Sequence, residues 1–65
     1  MTYDARYHIF PEQCAKFLQK KFRMHSELTV RELMVILKHM GIKTHKVSTD
    51  RGIYDIFSKK DINGI

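Results

Sequence analysis

The run LTVRELMVILKHMGI, residues 28–42, carries its own start and stop signals. Thr29 stands where an N-cap oxygen accepts a hydrogen bond from the backbone N–H of Glu32, and Glu32 is placed to accept from the Thr29 N–H, the reciprocal pair of a capping box. Leu28 and Leu33 occupy the two positions of a hydrophobic staple. At the other end Gly41 can take the left-handed conformation without a Cβ clash, and Ile42 can fold back onto Leu37 in a Schellman ending. A helix over residues 30–40 follows. Val30, Leu33, Ile36, Leu37 and Met40 fall on one broad face, and Met34 and Val35 widen the apolar arc, so this helix is expected to lie between two other elements.

Upstream, residues 1–10 (MTYDARYHIF) hold Tyr3, Tyr7, Ile9 and Phe10 without helical period and read as an arm or a short strand. Pro11 suits the first turn of a helix, where its missing N–H is no loss, and Glu12 adds negative charge near the positive end of the dipole. Cys14, Phe17, Leu18 and Phe22 then recur on one side, predicting a helix over 11–23. Its opposite face carries Lys16, Lys20 and Arg23, with Lys21 on the flank. This cationic stripe reads either as the solvated side of an amphipathic helix or as a surface lying along a phosphate backbone.

Beyond Gly41 two readings stand. In one, Thr44 caps a short third helix anchored by Val47. In the other, residues 42–48 form a strand, 49–52 turn, and 53–58 return as the second strand of a hairpin, since Asp50 and Gly52 are turn residues and IYDIF is rich in β-formers. Residues 59–65, with Asn63-Gly64, read as a frayed or loosely docked tail.

A chain of 65 residues makes one small domain. The elements sum to an α+β fold of two main helices plus a C-terminal hairpin or short third helix. A lone cysteine excludes an internal disulfide, and Cys14 within a helical apolar pattern reads as a reduced core residue. The longest apolar run, residues 33–37, is far too short for a bilayer span, and no signal-peptide core is seen at the start, so the expected compartment is the cytoplasm and no membrane partner is expected. His8, His25, His39 and His45 lack metal-site spacing, Asp50, Asp55 and Asp61 lack a calcium-loop pattern, and no phosphate loop or nucleophile motif stands out. Neither cofactor, metal nor catalysis is expected. The net charge of +5 and a pI near 9.6 suit a polyanionic partner. By segment, residues 11–23 carry +3 and 24–47 carry +2, while both ends are neutral.

The run FRMHSELTVRELMVILKHMGIKTHKV followed by RGIYDIFS resembles the helix-turn-helix of winged-helix DNA-binding proteins. Ile36 and Met40 match apolar positions of the first helix, Gly41 the turn glycine, Ile42 the apolar turn residue, Thr44 the start of the second helix and Val47 its buried position. Leu37 stands where such motifs place a small residue, and Asp50 where they place a buried apolar one. The resemblance implies a small basic DNA-binding protein, a transcriptional regulator or excisionase-like accessory factor. Residues 43–51 would then face the major groove and the following strand would form a wing. Lys43, Thr44, His45, Lys46, Ser48, Thr49 and Arg51 are the contacts it nominates, with Lys16, Lys20 and Arg23 of the stripe. A fainter similarity to helix-extended-loop-helix modules of the LEM and SAP type would require residues 53–60 to be helical. The rival expectations are a protein-binding module docking on a larger enzyme, and a homodimer closed by the apolar excess of the central helix.

Overall fold

The computed structural model describes residues 3–65. Residues 1 and 2 of the expected arm lie outside the described residues. Helix α1 spans Pro11–Lys21 and helix α2 spans Val30–His39. Strands β1 (His8–Ile9), β2 (His45–Thr49) and β3 (Gly52–Ser58) form an antiparallel sheet in the order β1-β3-β2, and helix α3 (Lys59–Asn63) closes the chain. The domain is a small α+β fold.

The caps of α2 largely follow the sequence signals. Thr29 is extended, and its Oγ1 accepts from the Glu32 N–H at 3.2 Å. The Glu32 carboxylate takes the Thr29 hydroxyl proton, Oγ1 to Oε1 2.9 Å, instead of the expected Thr29 backbone N–H. At the C-terminus Gly41 has φ +78°, its N–H reaches the Lys38 carbonyl at 3.1 Å, and the Ile42 N–H reaches the Leu37 carbonyl at 3.0 Å. These are the two bonds of a Schellman motif. A Cβ at Gly41 would meet nothing within 4 Å, so a substitution there is opposed by backbone strain alone. Gly41→Val is expected to lower stability by ~1 kcal/mol or more, because a β-branched residue resists positive φ. An unchanged urea midpoint would show that this ending does not hold the helix.

Helix α1 ends before the expected residue 23, because Arg23 leaves helical space at φ +49°. The Arg23 N–H bonds the Lys20 carbonyl at 3.3 Å and the Met24 N–H bonds the Gln19 carbonyl at 3.0 Å. The closing geometry matches that at Gly41, but here an arginine occupies the strained position. Arg23→Gly is therefore expected to raise stability by about 0.5 kcal/mol, relief of strain exceeding the added freedom of the unfolded chain. A melting temperature that falls on this change would contradict the assignment of strain.

Of the two readings for the segment after Gly41, the hairpin is the one formed. His45 pairs with Ile56, Val47 with Tyr54 and Thr49 with Gly52. The helix capped by Thr44 does not exist, and neither does the helical 53–60 of the LEM and SAP similarity, since Gly52–Ser58 is strand. The reason lies in Gly52, whose φ of +124° suits a turn and not a helix interior, and in the β-forming run that follows it. Strand β3 is central, pairing with β1 through Ile9↔Phe57 and His8↔Ser58.

One face of the sheet carries Ile9 and Phe57, and Phe57 is fully buried among Cys14, Ala15, Leu18, Leu28, Leu33, Leu37 and Ile62. This cluster is where both helices meet the sheet. Strand alternation puts Val47 and Ile56 on the other face, where they too are buried. On that side Phe10 meets the Tyr54 ring edge-on at 6.4 Å and lies 4.7 Å from the Tyr3 ring. Burial pushes the Cys14 thiol up to about 11, which keeps it protonated and unreactive near neutral pH.

Three expectations about packing need correction. Helix α2 does not lie between two elements: only Leu33 and Leu37 are buried, while Val30, Val35, Ile36 and Met40 are 37% to 53% exposed. So small a chain has no third layer to cover them. Phe17 and Phe22, expected inward, are exposed, because the buried line of α1 runs through Cys14, Ala15 and Leu18, and Phe22 falls at the C-cap. The tail over 59–65 is not loosely docked. It forms α3, and Ile62 reaches the core with 1% exposure while Ile65 packs beside it. Among the described residues no helix is long and apolar enough to cross a membrane.

Candidate nucleic-acid interface

A strand sorts its side chains by parity, and this divides the nominated residues. Lys46 and Ser48 project from the face shared with Ile53 and Asp55, whereas His45 and Thr49 share the face of Val47 and Tyr54. A helix over the same residues would have arranged them around a cylinder. Lys43 and Thr44 precede the strand and are exposed, His45 is half-buried, and Arg51 sits exposed in the turn.

The tip of the hairpin is ordered by its own side chains. The Thr49 hydroxyl accepts from the Arg51 N–H at 3.2 Å and donates to the Gly52 carbonyl at 3.0 Å. The Tyr54 hydroxyl donates to the Arg51 carbonyl at 3.4 Å. Thr49 is thus occupied in holding the turn, with its hydroxyl hydrogen committed, and what it positions is the Arg51 backbone. Lys46 is also partly committed. Its ammonium lies 2.7 Å from Asp55 Oδ1 across the ladder, while keeping 72% side-chain exposure. That contact supplies the partner that Asp55 Oδ1, itself out of reach of solvent, otherwise lacks.

Charge compensation is sparse elsewhere. Among the described residues the other ion pair joins Arg6 to Asp4 at 3.0 Å, where the guanidinium and the Arg6 N–H hold the exposed Asp4 carboxyl below its usual range. Among the described residues Lys16, Lys20, Arg23, Lys43 and Arg51 have no Asp or Glu carboxylate within ion-pair reach, and Lys21 donates to the Ile65 backbone oxygen. None of these side chains is tied up in a pair with an Asp or Glu, although Asp50 adjoins Arg51, Glu12 and Asp55 line the same groove as Arg51, and Glu12 and Glu27 lie beside Lys16.

These cations do not form one patch, and Lys43, before β2, lies with Met34, Val35 and Lys38. Arg51 lines a groove of about 680 Å³ whose other wall is the start of both helices, Phe10, Pro11, Glu12 and Val30. Lys20, Lys21 and Arg23 stand at the opposite end of α1, on the order of 15 Å from Pro11 at 1.5 Å per residue. Ile53, Tyr54 and Val30, which line the same groove, are 71%, 42% and 37% exposed. Sequence reasoning did not single out this apolar mouth, and the only available signal was that Ile53 follows a turn glycine on the strand face opposite Tyr54. Among the described residues no three His, Cys, Asp or Glu side chains come together as a metal site would require.

The fold and this surface define a class no finer than a small basic α+β domain with an ordered hairpin. Compared with protein-family models, with curated proteins and with solved structures, the chain has no match.

Proposed function

We propose that this domain is a non-catalytic binder of double-stranded DNA, acting as a regulator or an excisionase-like accessory factor, with the β2–β3 hairpin laid against phosphates as a wing. The observation that supports this is a set of cations spread along the hairpin and its lead-in, Lys43 before β2, Lys46 within it and Arg51 at its tip, of which only Lys46 meets a carboxylate. No recognition helix follows Gly41, so sequence discrimination in this reading rests on the ribbon, as in β-ribbon readers, and not on the second helix that the winged-helix resemblance implied. Ser48 and Lys46, projecting from one face, are the side chains available to base edges or phosphate oxygens.

The test is fluorescence anisotropy with a random-sequence DNA duplex at several salt concentrations. Affinity falling linearly on logarithmic axes supports the reading, with a slope of about −0.9 per phosphate contacted. An absence of binding at low salt removes it. A second reading, a module docking on a larger protein, is favoured by the apolar groove mouth at Val30, Ile53 and Tyr54. It predicts weak salt dependence and large losses on Tyr54 or Ile53 truncation.

A further inference from the structure

The end of α1 carries an arrangement that the hairpin reading does not use. The Lys21 ammonium lies 5.9 Å from the centre of the Phe17 ring and 6.0 Å from that of Phe22, so the cation sits between two aromatic rings. Phe17 is 38% exposed and Phe22 56%, on a domain where Phe57 and four Leu side chains are buried. Lys16 and Lys20 line the surface beside Phe17, Arg23 follows Phe22 in the chain, and the one acidic residue of α1, Glu12, lies one helical turn before Lys16. Lys21 also donates to the Ile65 carbonyl, which fixes where its ammonium stands.

We propose that this patch is a binding site for single-stranded nucleic acid, in which a base stacks on each of Phe17 and Phe22 and the phosphate between them meets Lys21. Three features argue for this occupant. The rings are exposed and separate, as stacking platforms must be. The four cations Lys16, Lys20, Lys21 and Arg23, none of them paired with an Asp or Glu side chain, complement a phosphodiester backbone. The ammonium, 5.9 and 6.0 Å from the two ring centres, places a charge beside the rings that inserting them into a lipid bilayer would carry toward the acyl region. A duplex, whose bases are already stacked and paired, offers nothing to the rings. The site is therefore independent of the hairpin.

The experiment measures anisotropy of labelled oligothymidylate and of the random duplex with the full chain and two double variants. Phe17→Leu with Phe22→Leu keeps apolar surface and removes the rings. Lys43→Ala with Arg51→Ala removes hairpin charge. The ring variant is expected to weaken oligothymidylate binding by at least about 25-fold, about fivefold for each ring, and to leave duplex binding unchanged. The hairpin variant should do the reverse. Phe22→Trp supplies a second readout in a chain that has no tryptophan, with its emission quenched on adding oligothymidylate. Unchanged oligothymidylate affinity in the ring variant, or no quenching, overturns the proposal. Loss of binding to phosphatidylserine vesicles in that variant, with oligothymidylate unbound by the parent chain, assigns the patch to membranes and overturns it too. If the parent chain fails on the duplex alone, the hairpin reading falls and this one stands.

Discussion

Phe57→Ala is expected to lower the urea midpoint enough to leave the domain partly unfolded at room temperature. Phe57 is fully buried on the central strand, opposite Ile9 and among Cys14, Leu18, Leu33, Leu37 and Ile62, so it joins both helices and α3 to the sheet. Truncating such a side chain removes its transfer free energy and leaves a cavity, about 3–5 kcal/mol together. A domain of this size has a total stability of roughly 3–10 kcal/mol, so the loss is a third of it or more. The control is Ile53→Ala on the same strand face, which at 71% exposure should stay within about 0.5 kcal/mol of the parent. Equal midpoints for the two variants would mean that the core is not centred on Phe57.

The largest functional effect is expected from Lys43→Ala combined with Arg51→Ala. Both residues are exposed and lack carboxylate partners, so their removal should leave the melting temperature within a few degrees of the parent. If each meets a phosphate, the slope of log affinity against log salt becomes shallower by about 1.8. At low salt, binding should weaken more than tenfold, measured by anisotropy on the duplex. Lys46→Ala makes a poorer test, because it also strips Asp55 Oδ1 of its partner and so mixes a stability effect with a binding one. A double variant with parental slope would take the hairpin out of consideration.

What could be read from the sequence was local. Thr29 and Gly41 act through bonds to residues a few positions away and Pro11 through its fixed φ and missing N–H, and the helices start and stop where these local features place them. The early stop of α1 escaped because Arg23 gives no sign in its chemistry of the positive φ it adopts. Gly52 signalled the turn and the β-forming run after it the return strand, yet β2 itself is completed only by its partners Ile56 and Tyr54 across the ladder, which lie outside its own local pattern. The tail was misjudged although Ser58 and Asp61 stand at capping-box spacing, because Asn63-Gly64 suggested fraying and the space filled by Ile62 is made by distant residues. The candidate site was legible as a list of side chains. Its division between the hairpin and α1 was not, since that follows from where Arg51 and Lys21 lie in three dimensions.

The pairing of β1 with β3 bears on how this molecule can be made. The Lys59 N–H bonds the Tyr7 carbonyl at 2.8 Å, and His8 lies opposite Ser58. A ribosome delivers β1 before either main helix, and its hydrogen-bonding partner is synthesised only when Phe57 and Ser58 are added, with both main helices already translated. Until then those helices have no sheet to cover, and Leu33, Leu37 and Cys14 remain open to water. Closing so long a loop carries an entropic cost that only the finished sheet repays, so the nascent chain should stay collapsed and unset until β3 emerges, then settle in one cooperative step.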